Sequence, residues 1–329
     1  MSAELARERN LAAAKDVQRV EEVVSEYFVG HRDVVRKTVA GCLARGHILF
    51  EDHPGLGKTL LVKVLARTLQ CEFARVQFTP DILPSDILGA RVWEHDRRAF
   101  EMQKGPVFTQ ILLADEINRA PPKTQSALLE AMEERQVTID GETMHLDQPF
   151  FVLATQNPIE QEGTYPLPEA QMDRFLLRLH TGYPETQDEE KEILRRRMKW
   201  QVDDPTERIK PVMSKARLLQ VLDATEKVFV HEEVLNYITA LVRGLREHPH
   251  VEVGPSPRGA LALLKTSRAL ALLAGRDFVV PDDVKAVARE ALAHRTILKV
   301  ERVLEGENAE TAVDEVVKKT PATVPRARP

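Results

Sequence analysis

The sequence is short of cysteine, of basic excess and of long apolar runs, and each shortage removes a class of protein. Its 329 residues include two cysteines. Cys42 and Cys71 lie far apart without a Cys-x-x-Cys pair, which argues against a disulfide scaffold or a zinc site and for a reducing compartment. A membrane span needs ~20 mostly apolar residues. The richest apolar stretch, Leu261 to Ala274, is broken by Lys265 and Arg268. The first residues carry Glu4, Arg7, Glu8 and Arg9 where a secretory signal has an apolar core. A cytoplasmic location without membrane contact is the expectation. Lys plus Arg total 46 against 51 Asp plus Glu, a net charge of −5, so the chain is no general nucleic-acid coat, although a local basic channel stays open. What is present is the balance of a soluble globular protein, 43% apolar and 29% charged. At ~150 residues per domain the length suggests about two domains.

Two regimes follow one another along the chain. Up to about Tyr183, short apolar runs alternate with helical patterns: His47 to Phe50, Phe73 to Phe78, Ile111 to Ala114, Phe150 to Thr155 and Phe175 to Leu179. Strands of this kind separated by helices predict a parallel sheet covered on both faces. Two places break the rhythm and read as hairpins, Arg91 to Met102 and Gln136 to Leu146, the second around an Asp140-Gly141 turn. Beyond Tyr183 nearly everything reads as helix: Glu185–Trp200, Lys215–Val228, Glu232–Arg246, Arg258–Leu273 and Pro281–His294. The expected division is an α/β domain over 1–183, a helical domain over 184–310 and a flexible tail over 311–329, Pro-, Ala- and Arg-rich from Thr320.

The chemistry concentrates at the ends of the expected strands. His53, Pro54, Gly55, Leu56, Gly57, Lys58 and Thr59, followed by Leu60, join the first strand to a helix. Glycines there let backbone N–H groups turn toward phosphate oxygens at a helix N-terminus. Lys58 is placed to bridge β- and γ-phosphates and Thr59 to ligate Mg²⁺. The strict pattern has glycine at position 52, where this chain has Asp52. A second strand ends in Asp115 and Glu116, the first suited to hold Mg²⁺ through water and the second to orient or deprotonate an attacking water. A third ends in Asn157, within reach of a γ-phosphate or that water.

In this order the elements resemble the AAA+ ATPases, and more narrowly the MoxR family. The resemblance is carried by Glu51 to Thr59, Thr79 to Asp86, Ala114 to Arg119, Ala154 to Pro158, Pro168 to Phe175 and Gly254 to Arg258, and it covers most of the chain from Val29 onward. It implies an ATP/ADP and Mg²⁺ site, a five-stranded sheet in the order 5-1-4-3-2, an all-α lid and a hexameric ring. It also implies roles that spacing alone does not supply. Val29 and Gly30 resemble the segment against adenine, Asn157 the first sensor, and Arg258 the second sensor on the γ-phosphate. Arg174 falls where the family has its arginine finger, with Arg119 and Arg178 as rivals. The hairpins occupy the places of inserts that face a central pore. The implied activity is ATP hydrolysis coupled to chaperone-like remodelling of protein clients, with a von Willebrand-type domain protein as a possible partner class. A nucleic-acid motor and a nucleotide switch with little hydrolysis are the alternatives; the net charge weighs against the first, Glu116 and Arg174 against the second.

Overall fold

The computed structural model describes residues 3–158 and 164–322. Two helices lead, α1 (Ala3–Tyr27) and α2 (Arg32–Leu43), followed by β1 (Ile48–Glu51), α3 (Lys58–Thr68), β2 (Phe73–Gln77) and α4 (Pro84–Leu88). The first hairpin is β3 (Gly89–Glu94) with β4 (Ala99–Lys104). Then come β5 (Ile111–Asp115), α5 (Pro122–Glu134), the second hairpin β6 (Gln136–Ile139) with β7 (Glu142–His145), β8 (Phe151–Gln156), α6 (Glu169–Met172) and β9 (Leu177–Leu179). The rest is α7 (Gln187–Trp200), α8 (Lys215–Glu226), α9 (Glu232–Arg246), β10 (Val251–Val253), α10 (Pro257–Leu273), α11 (Pro281–Leu292), β11 (Ile297–Leu298), α12 (Val300–Leu304) and α13 (Ala309–Lys319).

Five strands form one parallel sheet in the order β2-β5-β8-β1-β9. Numbering those five alone, this is the expected 5-1-4-3-2. Successive side chains on a strand face opposite ways, so the apolar runs divide between two cores. Ile48, Phe50, Ile111, Leu113, Phe151 and Leu153 face one side and join a cluster with α1, α2, α3 and the helices after α7. Leu49, Leu112, Ala114, Val152 and Ala154 face the other, under Leu128, Leu129 and Met132 of α5. All eleven residues are almost fully buried, which is why these strands read as continuous apolar runs rather than alternating ones.

The first core is continuous from sheet to lid. Val17, Val20 and Val24 of α1 and Val35 and Val39 of α2 lie in the same cluster as Leu263 and Leu270 of α10. The helical region also carries a short antiparallel pair, β10 with β11, in addition to the expected helices. The tail expected over 311–329 needs correction at its start. Asn308 caps α13 through the Thr311 N–H at 2.9 Å, and Val313 and Val316 are buried against the lid, so the chain is packed helix to Lys319. Residues 323–329 lie outside the described residues. No helix among the described residues is long and apolar enough to cross a membrane.

One buried imidazole ties the sheet to α5. His47 Nδ1 accepts the Val152 N–H at 2.9 Å while Nε2 lies 3.1 Å from the Met132 carbonyl. Only the neutral ring with its proton on Nε2 satisfies both. Burial, aided by the nearby Arg135 charge, pushes its pKa down to about 4 from an ordinary value near 6.5. The unfolded chain therefore takes up this proton first, so the contribution is fully present above pH 6.5 and is lost as pH falls toward and through 4. A difference of this size corresponds to roughly 3 kcal/mol. Denaturant titrations from pH 7 to pH 4 should show this slope, and His47→Asn should lose it. An unchanged slope in the variant would remove His47 as its source.

Candidate nucleotide site

The phosphate loop closes because its glycines adopt positive φ. Gly55 lies at +86° and Gly57, which caps α3, at +78°. A Cβ on Gly57 would come within 3.2 Å of the Phe28 ring, whereas one on Gly55 would meet nothing within 4 Å. The loop and the carboxyl ends of β1, β2, β5 and β8 enclose a cavity of about 230 Å³. Lys58, Thr59, Asp115, Glu116 and Asn157 line it together, as do Pro54, Gly55, Leu56 and Gly57. Lys58 Nζ donates to the His53 carbonyl at 2.8 Å and stands 3.9 Å from Asp52. Burial lowers its pKa, partly offset by Asp52 and Asp115.

Asp52 has its own employment where the strict pattern has glycine. Its carboxylate accepts the N–H groups of Thr181 at 2.7 Å and Gly182 at 3.2 Å. The residue that departs from the pattern thus pins the segment following β9 to the phosphate loop.

A second cavity of about 180 Å³ adjoins the first across Gly55, Leu56 and Gly57. Val29 and Leu60 line it with Tyr27, Phe28, Ile193 and Trp200, and the Tyr27 and Trp200 rings stack at 5.7 Å. An apolar slot beside a phosphate cradle fits a purine base. Gly30, expected beside the base, is not among the lining residues; it sits at φ +72°, where a Cβ would come within 3.2 Å of the Glu189 carboxylate of α7. His53 turns its ring toward Tyr183, 6.3 Å away.

The acidic pair is held by a residue that the strand-end reading passed over. The Thr155 hydroxyl donates to Asp115 Oδ1 at 2.6 Å and accepts the Glu116 N–H at 2.8 Å. Glu116 itself sits in the left-handed region at φ +58°, a costly backbone state for a non-glycine residue and one that recurs at functional sites. Its carboxylate is paired with Arg119 at 2.9 Å. The Asn157 carbonyl accepts Asn118 Nδ2 at 3.1 Å. Arg75 and Gln77 of β2 also line the cavity, and were likewise not among the expected residues. Thr59 and Asp115 supply the hydroxyl and carboxylate oxygens that a hard divalent cation takes.

Arg174 and Arg258 are not in this cavity. They line a separate one of about 280 Å³ with Gly46, His47 and Leu176, at the amino ends of β1 and β9. Both arginines converge on one carboxylate: Arg174 Nε lies 3.1 Å from Glu133 Oε2, and Arg258 Nη2 bonds Glu133 Oε1. Ser256 caps α10 through the Arg258 N–H at 3.1 Å and donates to Asp173 Oδ2 at 3.0 Å. Arg295 donates to Asp173 Oδ1 at 2.7 Å and to the Phe175 carbonyl at 2.6 Å. These bonds clamp the lid to the strand-preceding turn that carries Arg174. The rivals for the finger role are engaged elsewhere, Arg119 with Glu116 and Arg178 with Glu51 at 3.1 Å and with Glu310. A same-chain contact of Arg258 with the γ-phosphate, the simplest form of the second-sensor expectation, does not fit this placement.

The hairpins are seen where expected. Trp93 stands opposite Phe100 with rings 5.2 Å apart, edge to face, and Arg91 of the first hairpin bonds Glu142 of the second. His250 Nδ1 lies 2.7 Å from Glu307 and His248 Nε2 3.5 Å from Glu315, and no cluster of three or more His, Cys, Asp or Glu side chains placed to hold a metal ion occurs among the described residues.

The chain matches the family described as ATPase family associated with various cellular activities (AAA) over residues 47–177, and the AAA lid domain over 243–318. It is 46% identical to the Bacillus subtilis protein YeaC over 93% of this chain and 94% of that one. It is 41% identical to Chaperone MoxR1 of Mycobacterium tuberculosis over 92% of this chain and 82% of that one. A crystal structure of a Cytophaga hutchinsonii protein assigned as an ATPase superposes with a TM-score of 0.90 at 40% identity, covering 97% of this chain and 98% of that one. With the phosphate loop, the acidic pair and the lid all in place, the chain belongs to the MoxR family of AAA+ ATPases.

Proposed function

We propose that the chain hydrolyses ATP with Mg²⁺ as a ring of like subunits, each pocket completed by Arg174 and Arg258 of the neighbour, and that the ring remodels protein clients. The observation that carries this is the separation of the two sites: the phosphate cavity lies at the carboxyl end of β1 and the arginine pair at its amino end. The six residue steps from Gly46 to Asp52 span roughly 20 Å in extended chain, beyond the reach of an arginine side chain. A subunit with a phosphate loop at one end and paired arginines at the other is complete only when repeated head to tail, the arrangement that closes into rings. A hexamer is the size implied by the family resemblance.

In this reading Lys58 exchanges its bond to the His53 carbonyl for one to the β- and γ-phosphates. Thr59 and Asp115 hold Mg²⁺, which when bound offsets phosphate charge. Asn157 orients water, Glu116 takes its proton, and the neighbour's arginines neutralise charge developing on the γ-phosphoryl group. The division of labour is a nucleotide core to about residue 183 and a lid beyond it, with the tied hairpins turned toward the client. The net charge of −5 supports a protein client over nucleic acid. Cysteine usage supports the cytoplasm, and family likeness a von Willebrand-type domain partner.

Mixed rings test this. Arg174→Ala alone should turn over about a thousandfold more slowly. Combined with Lys58→Ala subunits, themselves inactive but with intact arginines, it should regain turnover. No recovery in mixed rings that assemble would overturn action in trans. DNA-stimulated turnover that vanishes on hairpin substitution would favour the nucleic-acid motor.

A further inference from the structure

We infer that Arg75 is the resident counter-ion of Asp115, held on that carboxylate while no divalent cation is present and displaced from it when the cation enters with nucleotide. The inference rests on the reading of Asp115 as the carboxylate facing the metal. Arg75 donates twice to the same oxygen, from Nη2 at 2.6 Å and from Nε at 3.1 Å to Asp115 Oδ2. The other oxygen, Oδ1, takes the Thr155 hydroxyl at 2.6 Å. Both oxygens of Asp115 are therefore engaged by protein donors.

The placement follows from strand pairing. In the parallel register Gln77 of β2 stands beside Asp115 of β5, and Arg75, two residues earlier, projects from the same face. Arg75 Nη2 also donates to Gln77 Oε1 at 3.0 Å, which steadies the guanidinium over the strand ends. The two partners differ in their access to water: the Asp115 side chain is 15% exposed and that of Arg75 is 47% exposed. Arg75 can thus withdraw into solvent at small desolvation cost, whereas Asp115 stays fixed by Thr155. A guanidinium and a dication repel each other at one oxygen, and binding of one opposes binding of the other. Arg75 lines the same cavity as Lys58 and Thr59, so the competition occurs where the metal would arrive.

The prediction concerns binding, not turnover. With the full chain and a fluorescent ADP analogue, the Mg²⁺ concentration that half-restores nucleotide affinity should fall about fivefold in Arg75→Gln, the scale of a partly exposed ion pair. Arg75→Lys, which keeps the charge, should return it toward the wild-type value. In an Asp115→Asn background Arg75→Gln should change nothing further. An unshifted midpoint in Arg75→Gln, or the same shift persisting in the Asp115→Asn background, overturns the role of Arg75. A wild-type midpoint in Asp115→Asn alone would instead overturn the metal-facing reading of Asp115, and the counter-ion role with it.

Discussion

Lys58→Ala is expected to lower ATP affinity about a hundredfold, because a buried, charge-assisted bond to phosphate is removed while the other walls of the cavity remain. The lysine is nearly buried, with 8% of its side chain exposed, and it is the cation set between Asp52 and the loop carbonyl of His53. Lys58→Arg should recover little, since the planar guanidinium is too large for a point-charge position formed by a tight loop. Equilibrium binding of a fluorescent ATP analogue checks this, with near-UV circular dichroism to show that the loop and lid are still packed. Affinity within threefold of wild type would remove the loop from the nucleotide site.

Glu116→Gln is expected to separate binding from chemistry. A positioned general base contributes about 10²–10⁴ in rate, so kcat should fall by at least about a hundredfold with ATP affinity nearly unchanged. The fixed left-handed backbone at Glu116 and the Thr155 hydroxyl on its N–H hold the side chain at the strand end, and glutamine keeps that geometry while losing the base. Arg119 pairs with one oxygen of Glu116, Oε2, at 2.9 Å, and a carboxylate keeps further lone pairs on which to accept a proton. Single-turnover hydrolysis with parallel binding measurements tests the assignment, and undiminished hydrolysis would sink it. The same variant held in ATP is the form in which to capture the client by pull-down.

The phosphate loop and the acidic pair were legible because each is written in contiguous residues, whereas the strand order followed only from the family resemblance. Glycines at 55 and 57, apolar runs ending in polar groups, and an Asp-Gly turn are local signals of local geometry. Arg75 and Thr155 were not legible, since they reach Asp115 through strand register, which a single strand does not announce. A count from aligned strand ends, with Gln77 beside Asp115, would have found Arg75. The site of Arg258 depends on the Arg295–Asp173 clamp between residues 122 apart in the chain. The helix α13 had a readable cap in Asn308 and an apolar pair in Val313 and Val316, yet the expected boundary at residue 310 fell inside it, before the change of composition at Thr320.

The helix α5 gives the two ends of the molecule a mechanical relation. It begins just after the turn that follows Glu116 and ends at Glu134, one residue beyond the carboxylate that gathers Arg174 and Arg258. Thirteen residues make a rod about 20 Å long. A tilt of about three degrees at one end of such a rod displaces the other by about 1 Å, enough to make or break a hydrogen bond. The second hairpin starts at Gln136, directly beyond the rod, and Arg91 ties the first hairpin to it. Both hairpins and the Glu133 carboxylate that gathers Arg174 and Arg258 are therefore joined by one helix to the strand end that carries Glu116.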